Sequence, residues 1–311
     1  MSDLARLIVI LGPTASGKSA LGVRLAEQLG GEIVVCDSTQ VYRHFDIGTA
    51  KVPLDEQRGI LHHLVDLVEP QEVFTAGDYR KHALIALEGI RSRSKLPILT
   101  AGTGLYLRAL LEGLADAPTR SEELRDRLRC KAKLRSPAHL HRILARLDSL
   151  TAANIAPRDT QRIIRAIEMR VLTGKPIGEI HRGSRSGLEG YQAIKIGLLP
   201  PRAALYARIH SRVEAMLAAG WIEEVRQLIA KGIPADAKPF QFIGYSQLRS
   251  YLEGVLSRDE AITQIQHATR RFAKRQITWF RKEPSVQWLS AFGDAPETDA
   301  AAMQYLQGES C

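Results

Sequence analysis

The feature that most constrains the fold is a short apolar segment that leads into a glycine-rich loop near the N-terminus. Residues 7–11 have the length and composition of a buried strand, and residues 12–19 read Gly-Pro-Thr-Ala-Ser-Gly-Lys-Ser. Leu21, Leu25 and Leu29 follow at helical spacing, and Gly30 is expected to end that helix. The sequence therefore predicts a strand, a phosphate-binding loop and a helix, in that order.

The predicted loop has the chemistry of an anion site. Glycines let successive backbone N–H groups point inward, the helix N-terminus adds a partial positive charge, and Lys18 adds a full one. The hydroxyl of Ser19 is expected to bind a Mg²⁺ that bridges phosphate oxygens. A glycine-rich turn with a surface lysine is the alternative, but the flanking strand and helix favour phosphate binding. We expect a diphosphate or triphosphate to contact Gly12, Pro13, Thr14, Ala15, Ser16, Gly17, Lys18 and Ser19.

Two other predicted strands end in polar residues. Asp37 follows a buried strand at residues 32–36, and Gly102-Thr103-Gly104 follows another at 97–101. Because ligands of parallel sheets bind beyond the carboxyl ends of the strands, we expect Asp37 and Thr103 near the phosphates. A tight turn whose glycines serve only packing explains the second segment equally well. A further strand is predicted at residues 62–68, with its paired histidines in structural roles.

The middle of the chain differs from its surroundings. Residues 117–191 are predicted to be helical and basic, with no convincing buried strand, and a strand returns at 193–198. We therefore predict an α/β fold: a P-loop NTPase-like parallel sheet flanked by helices, formed by residues 1–116 and 192–290, with an inserted mainly helical domain at 117–191. Residues 291–311 are predicted to be a loose tail.

The chain is basic, with a formal net charge of +9 and an isoelectric point near 9.6, which suggests a polyanionic partner. Basic residues cluster in the insertion, and others alternate with aromatic residues at 270–281, a pattern that suits nucleic acid. Solvated helical faces are the alternative in both places. Arg208 and Arg212 lie four residues apart on a predicted helix; they either hold one anion together or are ordinary surface residues.

The remaining composition indicates a cytoplasmic protein. Three scattered cysteines are too few for a disulfide framework or a zinc site. The N-terminus has no leader, and no apolar segment reaches membrane-spanning length, so no membrane partner is expected. Nothing in the sequence predicts oligomers or an obligate protein partner, and we expect a monomer.

Several motifs together resemble one family, the tRNA dimethylallyltransferases (tRNA isopentenyltransferases) of the bacterial type. They occur in family order and cover nearly the whole chain to about Leu289, with small departures at Ala101 and Ser246. The motifs are residues 12–19, Asp37-Ser38-x-Gln40-x-Tyr42, 46–51, 102–106, Asp159-x-Gln161-Arg162, 165–168, 243–245, Lys274-Arg275-Gln276 and Trp279-Phe280-Arg281.

The resemblance implies transfer of a dimethylallyl group from dimethylallyl diphosphate to N6 of the adenosine on the 3′ side of a tRNA anticodon. It implies Mg²⁺ as cofactor, Asp37 as general base, and Thr103, Arg208 and Arg212 as catalytic groups on the diphosphate. The anticodon stem-loop is expected to deliver a flipped base past Asp37. The implied tRNA contacts are Asp37, Ser38, Thr39, Gln40, Thr103, Arg125, Gln161, Arg162, Ile163, Ile164, Arg165, Gly244, Tyr245, Lys274, Arg275, Gln276 and Arg281.

Three other functions remain open on the sequence alone. An adenylate isopentenyltransferase uses a free nucleotide as acceptor, and the long basic insertion favours tRNA over it. A small-metabolite kinase predicts nucleoside triphosphate hydrolysis that depends on Lys18. A non-catalytic RNA-binding module predicts that a change of Asp37 to Asn alters no activity.

Overall fold

A computed structural model describes residues 4–115, 120–182 and 186–308. Its residues divide into two compact units. One contains the described residues up to Leu111 and from Leu188 onward, and the other is Glu112–Gly187. Tyr191 and Gln192 thus begin a strand of the first unit, whereas the sequence placed the end of the insertion at residue 191.

The first unit is built on one parallel sheet. Its six strands lie in the order β3-β2-β4-β1-β5-β6, and every pair of neighbours is parallel. This confirms the predicted parallel sheet. The strands are β1 (Ala5–Leu11), β2 (Gly31–Cys36), β3 (His62–His63), β4 (Leu96–Ala101), β5 (Tyr191–Leu198) and β6 (Val286–Leu289).

Thirteen α-helices are present in the described residues, and α4 to α8 belong to the second unit. They are α1 (Lys18–Leu29), α2 (Ala76–Ser92), α3 (Gly104–Leu111), α4 (Glu122–Arg135), α5 (Pro137–Leu147), α6 (Ser149–Ala153), α7 (Thr160–Thr173), α8 (Ile177–Arg182), α9 (Arg202–Ala218), α10 (Trp221–Ala230), α11 (Tyr245–Leu252), α12 (Arg258–Phe280) and α13 (Pro296–Gly308). None of these helices is both long and apolar enough to cross a bilayer.

Strand β1 shows why helices cover both faces of the sheet. Leu7, Val9 and Leu11 point to one face and pack with residues of α2 and α3, whereas Ile8 and Ile10 point to the other face and pack with α1 and α13. All five are fully buried, and each contributes roughly 1.5–3 kcal/mol relative to an exposed position. The central position of β1 places its carboxyl end, where the phosphate loop begins, between β4 and β5.

The predicted strand at residues 62–68 is much shorter than expected. Only His62 and His63 pair with β2, because Leu64 and Asp66 have left-handed backbone conformations that cannot continue a strand. His63 contacts the buried carboxylate of Glu32 at 2.7 Å, as expected for a structural histidine.

The C-terminal segment was predicted to be a loose tail at 291–311; its described part, to residue 308, is not one, and residues 309–311 lie outside the described ranges. Residues 296–308 form α13, and Ala302 and Leu306 are buried against α1 and the sheet. Arg24 of α1 donates two hydrogen bonds to Asp299, of 2.5 and 2.7 Å. A segment with few large apolar residues is therefore held in place by a few long-range contacts.

The second unit is a helical bundle with its own core. Leu140 and Leu144 of α5 pack with Ile163 and Ile167 of α7. The Asp159 carboxylate caps α7 at its N-terminus, and Gly174 ends the helix in the left-handed conformation.

Candidate active site

The phosphate loop follows β1 and opens α1. Gly17 precedes α1 with a φ of 86° and has no side chain to cap it, so the first N–H groups of the helix remain available to an anion. The Lys18 ammonium donates a hydrogen bond of 2.8 Å to the Pro13 carbonyl and bends back over the loop. The predicted strand, loop and helix are therefore all formed.

Three charged side chains share the space above this loop. Burial lowers the pKa of Lys18 to about 8, while the charge of Asp37 acts to raise it and that of Arg212 lowers it further. Burial and the neighbouring Arg208 also lower the pKa of Arg212, against a raising effect of Asp37. Two partly desolvated cations beside one carboxylate form a strong site for an incoming polyanion.

Asp37 lies at the carboxyl end of β2 with its two oxygens in different environments. Oδ1 accepts hydrogen bonds from the Thr39 amide (2.8 Å) and the Thr39 hydroxyl (2.7 Å), which fixes the carboxylate. Oδ2 lies over Gly102, where the first carbon of any side chain would approach it to 2.5 Å. Glycine at position 102 therefore leaves room for the oxygen that can accept a proton.

Thr103 lies next to Ser38 at the same sheet edge. Its hydroxyl accepts a hydrogen bond from the Ser38 amide (3.0 Å) and lies 3.2 Å from the Ser38 hydroxyl. The amides of Gly102 and Thr103 both donate to the Cys36 carbonyl at 3.0 Å. The ends of β2 and β4 are thus joined, and the two predicted strand-end sites form one.

The structure distinguishes the two arginines of α9. Arg208 makes two hydrogen bonds of 2.6 Å with the Asp294 carboxylate, and its guanidinium lies over the Phe292 ring. The Arg212 guanidinium instead points to the phosphate loop, 3.5 Å from the Thr14 hydroxyl. In the described ranges, Arg212 has no ion pair with a carboxylate, so its charge remains for a ligand.

The C-terminal segment reaches the phosphate loop, although no pattern in the sequence predicts this contact. The Gly293 amide donates to the Ser16 carbonyl at 2.7 Å. A side chain at Gly17 would come within 2.7 Å of the Gly293 nitrogen. One side of the loop is therefore closed by residues almost 280 positions away in sequence.

Gln276 of α12 also contacts the site from within the protein. Its side-chain oxygen accepts from the Thr14 amide, and its side-chain nitrogen donates to the Gly102 carbonyl, both at 2.7 Å. The residue is 6% exposed. This burial corrects the expectation that Gln276 contacts tRNA, because both ends of its amide are occupied by backbone groups.

The loop at residues 46–51 is fixed by buried polar contacts. The Tyr245 hydroxyl donates to Glu224 (2.6 Å) and accepts from the Gly48 amide (3.0 Å). Gln40 donates to the carbonyls of Thr49 and Ala50, at 3.1 and 3.3 Å. Tyr245 is fully buried and supports this loop, which corrects the expectation that its side chain contacts tRNA.

The indole ring of Trp221 packs against the same loop at residues 46–51. Side-chain carbons at Gly48 or Gly244 would overlap its indole ring. Gly244 is buried beside Tyr245, with a φ of 94°, so it too packs internally instead of facing a partner. Both glycines are therefore required by close packing against one large side chain.

The tRNA-binding residues predicted in the insertion fall into three groups. Gln161 and Arg162 are exposed, whereas Ile163 and Ile164 are buried in the core of the unit, which corrects the expectation that their side chains contact tRNA. The remaining two, Arg125 and Arg165, both bind the fully buried carboxylate of Glu168.

Glu168 organises the charges of the insertion. Arg125 binds its two oxygens at 2.8 and 2.7 Å, and Arg165 adds a bond of 2.6 Å. Burial alone raises the pKa of Glu168, but the hydrogen bonds from Arg125, Arg165 and the Ser121 amide outweigh it and bring the pKa to about 2. The carboxylate thus holds two arginines of the basic patch in position.

We expect Glu168→Gln to lower the free energy of unfolding of the inserted unit by about 3 kcal/mol, because two buried or half-buried cations lose their partner. The folded pKa of about 2 lies below the ordinary 4.5, so this stabilisation is complete above pH 4.5 and disappears as pH falls towards 2. Hydrogen exchange of the α7 amides between pH 5 and 3 measures it. The exposed Glu123→Gln is the control; equal stability of the two variants would contradict the assignment.

Exposed cations line α12 on the side away from its buried face. Lys274, Arg275 and Arg281 are exposed, whereas Ala273 and Phe280 are fully buried in the core. Arg275 also lies over the Phe272 ring. The predicted basic and aromatic segment is therefore an amphipathic helix with an accessible positive face.

The donor set beside the phosphate loop fits Mg²⁺. Ser19 lies half-buried in the first turn of α1. Within residues 4–115, 120–182 and 186–308, no group of three or more His, Cys, Asp or Glu side chains could hold a metal. A lone hydroxyl beside an anion site suits an ion that takes its other ligands from phosphate and water, as Mg²⁺ does.

Comparison with known proteins identifies similar chains. The family model described as IPP transferase matches residues 40–283. The chain is 50% identical to a protein named tRNA dimethylallyltransferase from Solibacter usitatus (strain Ellin6076), with 96% of each chain covered. A protein of the same name from Koribacter versatilis (strain Ellin345) is 48% identical, with 99% of each covered.

Solved structures give the same result for the fold. The full-length tRNA isopentenylpyrophosphate transferase of Bacillus halodurans superimposes with a TM-score of 0.72 at 37% identity, and the match covers 98% of this chain and 96% of that one. A eukaryotic dimethylallyltransferase acting on tRNA has a TM-score of 0.80 at 27% identity, covering 96% of this chain and 77% of that one.

Proposed function

This chain belongs to the IPP transferase family, and we propose that it moves the dimethylallyl group of dimethylallyl diphosphate to N6 of the adenosine on the 3′ side of a tRNA anticodon. Transfer of a dimethylallyl group to tRNA is the activity in the names of its relatives. The observation that supports this chemistry most directly is the arrangement of a free Asp37 oxygen beside the cations of the phosphate loop.

The phosphate loop would hold the diphosphate, which is the leaving group. Cleavage of the allylic C–O bond leaves its electron pair on the diphosphate, so negative charge grows there in the transition state. The α1 N–H groups, Lys18 and Arg212 would stabilise that charge. Ser19 would be the protein ligand of Mg²⁺, which when bound neutralises part of the same charge.

Asp37 would act on the other reactant. The N6 amine of adenine is a weak nucleophile because its lone pair is delocalised into the ring, so it needs orientation and removal of a proton. As the new C–N bond forms and the C–O bond breaks, Oδ2 of Asp37 would accept the N6 proton. Oδ1 stays bound to Thr39, which keeps the carboxylate aimed during the transfer.

The tRNA would be held mainly through its phosphates. Lys274 and Arg275 on α12 are exposed, and so are Arg281 directly after that helix and Gln161 and Arg162 in the inserted unit. Gln40, near Asp37, uses its side-chain nitrogen to donate to carbonyls of the 46–51 loop. Its side-chain oxygen therefore remains as an acceptor for an adenine amine.

The deciding experiment is mass spectrometry of nucleosides after the protein is incubated with Mg²⁺, dimethylallyl diphosphate and an anticodon stem-loop, with AMP as a parallel acceptor. A mass gain of one dimethylallyl group on stem-loop adenosine alone supports the proposal. A gain on AMP would indicate an adenylate isopentenyltransferase. No gain on either, with ATP consumed in the presence of a small metabolite, would indicate a kinase.

The two arginines of α9 provide a matched pair of variants. We expect Arg212→Gln to lower kcat about a hundredfold, because it removes one donor to the developing charge. Arg208→Gln should lower kcat less than about fivefold, since Asp294 already occupies the Arg208 guanidinium. Single-turnover transfer to the stem-loop measures both rates. A larger loss in the Arg208 variant would reverse the assignment.

A further inference from the structure

We propose that Gln276 is a positioning residue that sets the distance between the diphosphate and the acceptor amine, an inference that rests on the proposed function. Its side-chain amide connects two loops, one beside the leaving diphosphate and the other beside the acceptor amine. The oxygen binds the Thr14 amide in the phosphate loop, and the nitrogen binds the Gly102 carbonyl beyond β4. Only this orientation of the amide satisfies both, because an N–H needs an acceptor and a carbonyl needs a donor.

The two ends of this bridge meet different parts of the site. Thr14 belongs to the loop that would hold the leaving group, and its hydroxyl is next to Arg212. Gly102 lies under Oδ2 of Asp37, the oxygen assigned to take the proton. The side chain of Gln276 therefore spans from the leaving-group side to the nucleophile side of the reacting carbon.

The helix that carries Gln276 is itself firmly placed. Ala273 and Phe280 on either side are fully buried, and Trp279 packs so closely on Gly104 that a side chain there would overlap its ring. The bridging amide has little freedom as a result. It therefore fixes the distance between the two loops. Without a buried hydrogen-bonded link, the two loops could move independently of each other.

Alkyl transfer depends strongly on that distance. The N6 lone pair must approach the allylic carbon as the C–O electron pair leaves with the diphosphate, and the N6 proton passes to Asp37. A displacement of about 1 Å can cost about a hundredfold in rate. When the amine is misplaced, water can take its place at the carbon, giving dimethylallyl alcohol, diphosphate and a proton.

The test compares three variants of the full chain. Gln276→Leu keeps a similar volume but removes both hydrogen bonds, and Gln276→Glu keeps the acceptor for Thr14 but loses the donor to Gly102. Gln264→Leu, an exposed position on the same helix, is the control. We measure kcat of transfer, the dissociation constants of dimethylallyl diphosphate and stem-loop, and the ratio of dimethylallyl alcohol to modified adenosine.

For Gln276→Leu we expect kcat to fall about 30- to 100-fold, dissociation constants to change less than about threefold, and the alcohol ratio to rise about tenfold or more. Gln276→Glu should lie between this variant and the control. An unchanged alcohol ratio in both Gln276 variants would overturn the proposal, and if the Leu variant does not fold, the Glu variant alone decides. Failure of the proposed function looks different, because the unaltered protein would then form no modified adenosine.

Discussion

Asp37→Asn is expected to lower kcat of dimethylallyl transfer by about 10²–10⁴, the range for loss of a general base. The substitution preserves the fold of the site, because an amide oxygen can still accept the two hydrogen bonds from Thr39. It replaces the free oxygen over Gly102 by an NH₂ group that cannot take a proton. Single-turnover transfer to an anticodon stem-loop measures the effect.

The affinity for dimethylallyl diphosphate should change less than about twofold in this variant, since a base that acts on the amine contributes to the transition state and little to ground-state binding. Asp55→Asn, an exposed change in the same part of the chain, is the control. Equal losses of tRNA affinity and of rate in the Asp37 variant would exclude its role as base.

Lys18→Ala is expected to damage both binding and chemistry. Its ammonium lies 2.8 Å from the Pro13 carbonyl of the phosphate loop. From there it would bind the diphosphate in the ground state and stabilise it more strongly as the C–O bond breaks. We expect kcat to fall by about 10²–10³ and the affinity for dimethylallyl diphosphate to fall about ten- to a hundredfold. Isothermal titration and single-turnover rates separate the two effects.

The pH dependence of binding provides an independent check on Lys18. Because its pKa is about 8 in the ligand-free protein, the ammonium is charged below that pH and loses its proton above it. The affinity for dimethylallyl diphosphate should therefore decrease as pH rises beyond 8, by up to about tenfold per pH unit. Lys18→Arg keeps its charge throughout and should not show this decrease. A parallel decrease in the Arg variant would assign it to another group.

Elements with local signals were predicted well. Helix α1 ends at Gly30 in the left-handed conformation, as the leucine spacing and that glycine predicted. The phosphate loop was identifiable because its glycines and lysine lie within eight residues. In each case the interactions that determine the structure are close together in the sequence, so the pattern of residues contains them.

Features that depend on distant partners were not predicted. The segment at 64–66 leaves the sheet, and Lys51 binds the Asp66 carboxylate in that turn at 2.5 Å. Helix α13 is held by Arg24, 275 residues away from Asp299. Gln276 was assigned to tRNA from its motif, although it lies 262 positions from the Thr14 amide that it binds. No local pattern shows such pairings.

The resemblance to a family identified the reaction but not the arrangement of its residues. It grouped Tyr245, Ile163 and Gln276 with the tRNA contacts, and the structure buries all three. It also left Arg208 and Arg212 equivalent, and only their different partners separate them. A motif records which residues recur together; whether a side chain faces a ligand or supports another residue depends on packing.

The indole of Trp221 under the loop at 46–51 has an evolutionary consequence. Because side chains at Gly48 and Gly244 would occupy the space of its ring, the residue types at these three positions cannot vary independently in evolution. Lineages that replace the tryptophan by a smaller residue should be free to accept alanine or serine at position 48, whereas position 244 should remain restricted by its left-handed backbone. Covariation between 221 and 48 across the family, without matching variation at 244, is the pattern that this packing would leave in sequences.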